Sequence, residues 1–202
     1  MAHTISMITN YIKFALIFFC FIISLSHKKN ISTTVRNIQV TALFLTVVSD
    51  FFLVIVNWER IGIFVFIFVQ ICYSIRLRIK RHLFLIYPII FTALFLILNE
   101  TLIILALFYG FLFLTNYIYA WKNFIHQKFL SINSYLILIG LSLFLLCDIS
   151  VAMYNMHHLN IDFSDDFLHF LRYSIWIFYI PSQFLLSISS RKFRSKPKQP
   201  TY

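Results

Sequence analysis

Residues 133–153 read NSYLILIGLSLFLLCDISVAM, an apolar run without proline in which Asp148 is the one charge. As a helix, such a run is about 30 Å long, the thickness of the hydrocarbon core of a bilayer. Six further runs of the same kind accompany it: Met7–Leu25, Ile38–Asn57, Ile61–Ile75, Leu83–Leu98, Leu102–Ala120 and Phe167–Ser189. The third and fourth runs are short, and Arg76, Arg78 and Lys80 between them are expected to snorkel outward and complete them. Asn99-Glu100-Thr101 alone parts the fourth run from the fifth. A single helix over both would exceed any bilayer, so a tight helical hairpin is expected. The reading is all-α: one bundle of seven transmembrane helices over residues 1–190, then a basic tail, 191–202.

Composition agrees. Of 202 residues, 60% are hydrophobic and 12% charged, with mean hydropathy +0.84. Soluble domains carry about 25% charged residues, so a soluble globule and a disordered chain are both excluded. Twenty-five Phe and eleven Tyr against three Gly and four Pro exclude collagen-like and low-complexity chains. A net charge of +10 raises the question of nucleic acid. Placement answers it. Fourteen of the seventeen basic residues fall in the first, third and fifth connections and the tail: Lys28, Lys29, Arg36; Arg76, Arg78, Lys80, Arg81; Lys122, Lys128; and Arg191, Lys192, Arg194, Lys196, Lys198. The opposite side holds Glu59-Arg60, Glu100 and the Asp162/Asp165/Asp166 loop with Arg172. By the positive-inside rule the basic side is cytoplasmic, which puts the N-terminus outside and the C-terminus inside. Anionic lipid headgroups are therefore the expected partner of the basic face, and no nucleic acid is expected.

The first run lacks a small-x-small cleavage pattern ahead of Lys28-Lys29 and reads as a retained helix. Short loops without an organelle signal point to a multi-pass protein of a cell membrane, expected to be the bacterial plasma membrane. Cys20, Cys72 and Cys147 lie singly inside apolar runs and read as small core residues. His157, His158, Asp162, Asp165, Asp166 and His169 have metal-ligand chemistry but no ligand spacing and read as a solvated loop. No metal and no cofactor are expected.

Two acids lie inside apolar runs: Asp50 in Ser49-Asp50-Phe51-Phe52 and Asp148 in Cys147-Asp148-Ile149. Each costs about 2.5–3.5 kcal/mol at a helix centre, so each needs a reason to be there. Asn57 and Asn155 follow them at a spacing of two helical turns and would share their faces. Both acids lie past the midpoint of outward-running helices, at similar depth. The next helix in each case carries an amide and a phenol: Gln70 with Tyr73, and Tyr179 with Gln183, the latter pair beside a kinking Pro181. This is a weak internal repeat, and repeats of this kind tend to hold their site at the interface. The candidate catalytic pair is Asp50 and Asp148, with Gln70, Tyr73, Asn57, Asn155, Tyr179 and Gln183 as candidate substrate-binding residues. The bland alternative is that both acids merely bond neighbouring helices together.

These residues resemble the YhhN-type lysoplasmalogenase family. Ser49-Asp50-Phe51-Phe52-Leu53, Gly62 and Gln70-Ile71-Cys72-Tyr73 are similar to its first signature, where Gln70 stands in place of a His. Cys147-Asp148-Ile149 and Tyr179-Ile-Pro-Ser-Gln183-Phe-Leu-Leu are similar to its second, and the match covers Leu43–Tyr73 and Gly140–Ser189. Members usually have eight helices, with Lys-Pro opening the second; this chain has seven runs and no Lys-Pro. The resemblance implies a lipid or lysolipid substrate from the bilayer, whose vinyl-ether bond is cleaved to a fatty aldehyde and a glycerophospho-alcohol. Paired carboxylates suit that chemistry, one as general acid and one as general base. Two other functions fit the bundle: a small proton-coupled transporter and a non-enzymatic heptahelical protein.

Overall fold

The computed structural model describes residues 2–26, 32–79, 81–98, 100–126, 131–156 and 163–191. Seven α-helices make it up: α1 (Ala2–Ser26), α2 (Thr33–Asp50), α3 (Glu59–Arg76), α4 (Arg81–Ile97), α5 (Thr101–Ile125), α6 (Ser131–Met156) and α7 (Asp165–Ile188). A π-helical turn, Phe51–Val56, prolongs α2. Each apolar run corresponds to one helix, the second continuing through the π turn, and α4 and α5 form the expected hairpin, with Tyr87 against Phe111 and Phe91 against Phe108. Sequence chemistry sets the starts. The Ser32 hydroxyl accepts from the Val35 N–H at 3.2 Å and opens α2. Asp165 and Asp166 occupy the first turn of α7, where the positive end of the helix dipole favours them. Lys28, Lys29, Lys80, Lys128, Asn99, His157, His158, Asp162 and the tail beyond Arg191 lie outside the described residues.

The bundle is apolar outside, and its interior mixes an apolar core with many polar side chains. On α7 the buried set includes Ser174, Tyr179, Ser182, Gln183 and Ser187, while Phe170, Ile177 and Phe184 are exposed. A soluble helix has the reverse pattern; helices in lipid have this one, because lipid is as apolar as a Phe side chain. Three helical segments, Thr33–Val56, Thr101–Ile125 and Ile132–Met156, are long and apolar enough to cross a membrane, and Asn10–Ser26 and Ile86–Leu96 are shorter apolar stretches.

Neighbours form a closed ring, α1–α2–α3–α5–α6–α7 and back to α1, while α4 packs outside the ring on α5. The helices α1–α2–α3 and α5–α6–α7 therefore have the same adjacency, with α4 as the link. Hairpin crossings are close. Ser49 Oγ donates to the Gly62 carbonyl at 2.6 Å, and a Cβ on Gly62 would run into the Leu53 side chain. In the other half, Gly140 faces Leu186 and the Ser182 carbonyl. Small residues permit this approach.

Two expectations are corrected here. Asn57 does not share a face with Asp50. The π turn between them closes i→i+5 bonds, which breaks the α-helical phase. Asn57 is instead an exposed residue in the left-handed region (φ 58, ψ 37) that ends the helix. Arg76 does not snorkel outward. It is 3% exposed and turned into the bundle. The chain stops just after it in a Schellman cap: Ile79 N–H bonds the Ser74 carbonyl and Arg78 N–H the Ile75 carbonyl, with Arg78 at φ 57.

Candidate functional site

Asp50 ends the regular part of α2, and Asp148 holds the corresponding place in α6, each being the eighteenth residue of its helix. Interhelical bonds fix their relative depth. Ser49, beside Asp50, is level with Gly62 of α3. Bonds from Asn116 to Gln70 and from Asn123 to Leu77 both span 46 residues, so α3 and α5 run parallel in one register. That register sets Tyr109 level with Ile63, and Tyr109 bonds Asp148. The two carboxylates thus lie at one level of the bundle.

Each takes a phenol, not a cation. The Tyr179 hydroxyl of α7 donates to both oxygens of Asp50, at 2.9 and 2.8 Å. The Tyr109 hydroxyl of α5 donates to Asp148 Oδ2 at 2.7 Å. Among the described residues no Lys or Arg pairs with either acid. Asp50 is buried, whereas Asp148 is half-buried, and among the described residues no bond to its Oδ1 is seen. The two phenols flank one aromatic cluster. Tyr179 packs on Phe144 at 5.6 Å, Phe144 on Phe66 at 6.0 Å, and Phe66 on Tyr109 at 5.9 Å between ring centroids. The Cys147 thiol lies within electrostatic reach of both carboxylates, and Tyr179 within reach of Tyr109. Both acids therefore address one interior region, at the junction of α2, α5, α6 and α7.

The other candidates sort by level. The Gln70 amide faces the Tyr109 hydroxyl, and its Oε1 accepts from Asn116 at 2.9 Å. It thus backs the Asp148 pair without touching either acid. Tyr179 and Tyr73 do not play equivalent parts. On α7 the phenol precedes the amide and sits on the Asp side of Gln183. On α3 the phenol follows the amide, and Tyr73 lies about 16 Å along the helix from Gly62, beside Arg76 and Gln39. Gln183 is fully buried, and neither amide atom has a hydrogen-bond partner among the described residues. Asn155 is exposed at the end of α6 and makes no bond to Asp148. Pro181 sits on the exposed side of an unbroken α7. Glu100 is exposed just before α5.

Sequence reasoning passed over Tyr109 and Lys13. Tyr109 carries a readable signal: a phenol deep in an apolar span needs an acceptor, and an intramembrane Asp needs a donor. Lys13 of α1 stacks 4.4 Å from the Trp176 ring, and Trp176 packs on Tyr179, which steadies the phenol on Asp50.

An apolar exterior, an interior that buries many polar side chains, and two level, phenol-capped carboxylates define a helical membrane protein with an intrabundle acid pair. The chain belongs to the YhhN family, whose sequence pattern matches residues 8–190. The match runs through the middle of the chain as well as the two stretches that carry the motifs. No curated protein and no solved structure matches it.

Proposed function

We propose that this YhhN-family protein is a membrane-embedded lipid hydrolase of lysoplasmalogenase type. It would cleave a vinyl-ether or related lysolipid bond with Asp50 and Asp148 as general acid and general base. One observation carries the reading: two carboxylates at one level, each held by a neutral phenol, facing a common interior. A buried acid kept for structure alone is ordinarily paired with a cation or with a set of backbone donors.

In the reaction, the protonated acid of the pair gives its proton to the vinyl carbon, and an oxocarbenium ion forms at the carbon bearing oxygen. The ionised partner stabilises this cation and takes a proton from water as its oxygen adds to it. The resulting hemiacetal collapses to a fatty aldehyde and a glycerophospho-alcohol, by the division of labour of paired carboxylates in glycoside hydrolysis. Asp148, less enclosed than Asp50, is the acid that substrate or water meets first. Asp50 is reached when the Tyr179 bond opens. Gln70 cannot titrate, so all proton transfer falls to the two acids, and Tyr109 and Tyr179 orient them. The bundle lies with its basic connections cytoplasmic and its N-terminus outside, which sets the acid pair in the outer half of the bilayer beside the substrate's own chain.

The test is lysolipid hydrolysis by Asp50→Asn and Asp148→Asn variants that still insert. Loss of a general acid or base costs about 100- to 10,000-fold in rate. Full activity in both variants would sink the reading. One observation favours a proton-coupled transporter instead: the buried polar side chains of Ser182, Gln183, Tyr73 and Gln39 lie between the Asp level and the basic end. That reading requires pH-driven solute flux in vesicles, and it fails if flux is absent.

A further inference from the structure

The last turn of α3 holds a second polar centre. Arg76 is 3% exposed, yet no carboxylate among the described residues pairs with it. Its Nη1 donates to Gln39 Oε1 and its Nη2 to Ser189 Oγ at 2.8 Å, both neutral groups, and its Nε has no partner. Around it, the buried Tyr73 hydroxyl and Gln39 amide face each other, and neither the Tyr73 hydroxyl nor Gln39 Nε2 makes a well-formed bond to any described residue. Ser190 Oγ, next to Ser189, is in the same state.

The chain has seven acids. Asp50 and Asp148 bond phenols, while Glu59, Glu100, Asp165 and Asp166 stand at helix starts on the opposite side of the bundle. Asp162 lies outside the described residues. Helix-end carbonyls of α3 and α7 offer Arg76 partial negative charge, but the positive starts of α2 and α6 lie at the same end and offset it. A buried guanidinium with one N–H unpaired and no counter-anion is costly as it stands. Of the unpartnered atoms at this centre, Arg76 Nε, Gln39 Nε2, the Tyr73 hydroxyl and Ser190 Oγ can donate, while Asn133 Oδ1, whose amide nitrogen bonds the Ser189 carbonyl, is an acceptor. A planar fork, a phenol and an amide N–H together match an oxyanion.

We propose that Arg76, with Gln39 and Tyr73, forms a binding site for a phosphate oxyanion at the basic end of the bundle. Arg76 Nε–H, Tyr73 O–H and Gln39 Nε2–H would supply the bonds, and exposed Arg78 beside the site would draw the anion in. The site does not depend on the hydrolase reading. It lies about 20 Å along α3 from the Asp level, whereas a vinyl-ether lysolipid has a single glycerol unit between its reacting bond and its phosphate. One substrate molecule cannot reach both places.

The test uses the full chain and a binding readout. Thermal unfolding is followed in non-ionic detergent with inorganic phosphate against chloride at equal ionic strength. In parallel it is followed in phosphatidylcholine nanodiscs with and without phosphatidylglycerol. A saturable rise in midpoint with phosphate identifies a free phosphate; a rise with phosphatidylglycerol alone identifies a lipid headgroup. Either supports the site, provided Arg76→Gln abolishes the rise and Tyr73→Phe weakens binding about tenfold, the value of one charge-assisted bond. Arg76→Lys keeps the charge without the fork and should bind more weakly than wild type. If Arg76→Gln does not fold, Arg76→Lys and Tyr73→Phe carry the comparison. No saturable rise in either arm for the wild-type chain, or an undiminished rise in the variants, overturns the proposal.

Discussion

Replacing Tyr179 by Phe removes one oxygen from the bundle and leaves the ring in place against Phe144 and Trp176. Asp50 would lose the donor that spans both of its oxygens, at 2.9 and 2.8 Å, in a site where 3% of the residue is accessible. No water can take over without opening the bundle. Such a change costs the bond and leaves a buried polar group unsatisfied, about 2 kcal/mol in all, or roughly a thirtyfold change in the unfolding equilibrium. Tyr109→Phe makes the same chemical change at Asp148, which is less enclosed than Asp50 and gives up a bond to one oxygen only, so its cost should be smaller, about 1 kcal/mol. Reversible unfolding in mixed detergent, read by tryptophan fluorescence, measures both. A cycle with Asp50→Asn adds a control: the two changes at the Asp50–Tyr179 pair should couple by about 1–2 kcal/mol. If Tyr179→Phe costs no more than Tyr109→Phe, or the cycle shows no coupling, the enclosed Asp50–Tyr179 pair is refuted.

Other consequences follow from the packing. Gly140→Ala puts a Cβ 2.9 Å from Leu186 Cγ and 3.4 Å from the Ser182 carbonyl, and should destabilise the α6–α7 hairpin by about 1–3 kcal/mol in the same unfolding assay. Arg78→Gly relieves a non-glycine residue at φ 57 and should raise stability by roughly 1 kcal/mol; a loss would contradict the Schellman cap. Asn116→Leu removes the bonds that tie Gln70 and Ser74 to α5, and hydrogen exchange should show α3 and α5 loosening together while α6 and α7 hold.

The seven helices were legible because apolar runs and basic connections alternate along the whole chain; a missed helix would have scrambled the charges. The common depth of Asp50 and Asp148 was also legible, since it needs only helix direction and a count of residues. Their partners were not. Asn57 looked like a neighbour of Asp50 under an α-helical phase that the π turn at Phe51–Val56 breaks. Tyr109 has no motif around it, and its role depends on the α3–α5 register, which side-chain bonds set. Arg76 shows the limit most plainly. An Arg at the end of an apolar run ordinarily reaches for headgroups, and only the packing of α2, α3 and α7 reveals that this one turns inward.

The central claim, that two level carboxylates perform the chemistry, meets its most direct test in proteoliposomes. Fatty aldehyde released from a lysoplasmalogen would be measured by mass spectrometry for the wild-type chain, Asp50→Asn and Asp148→Asn at equal insertion. The account predicts aldehyde from the wild-type chain and a fall of at least about 100-fold in each variant. Wild-type rates in both variants would contradict it.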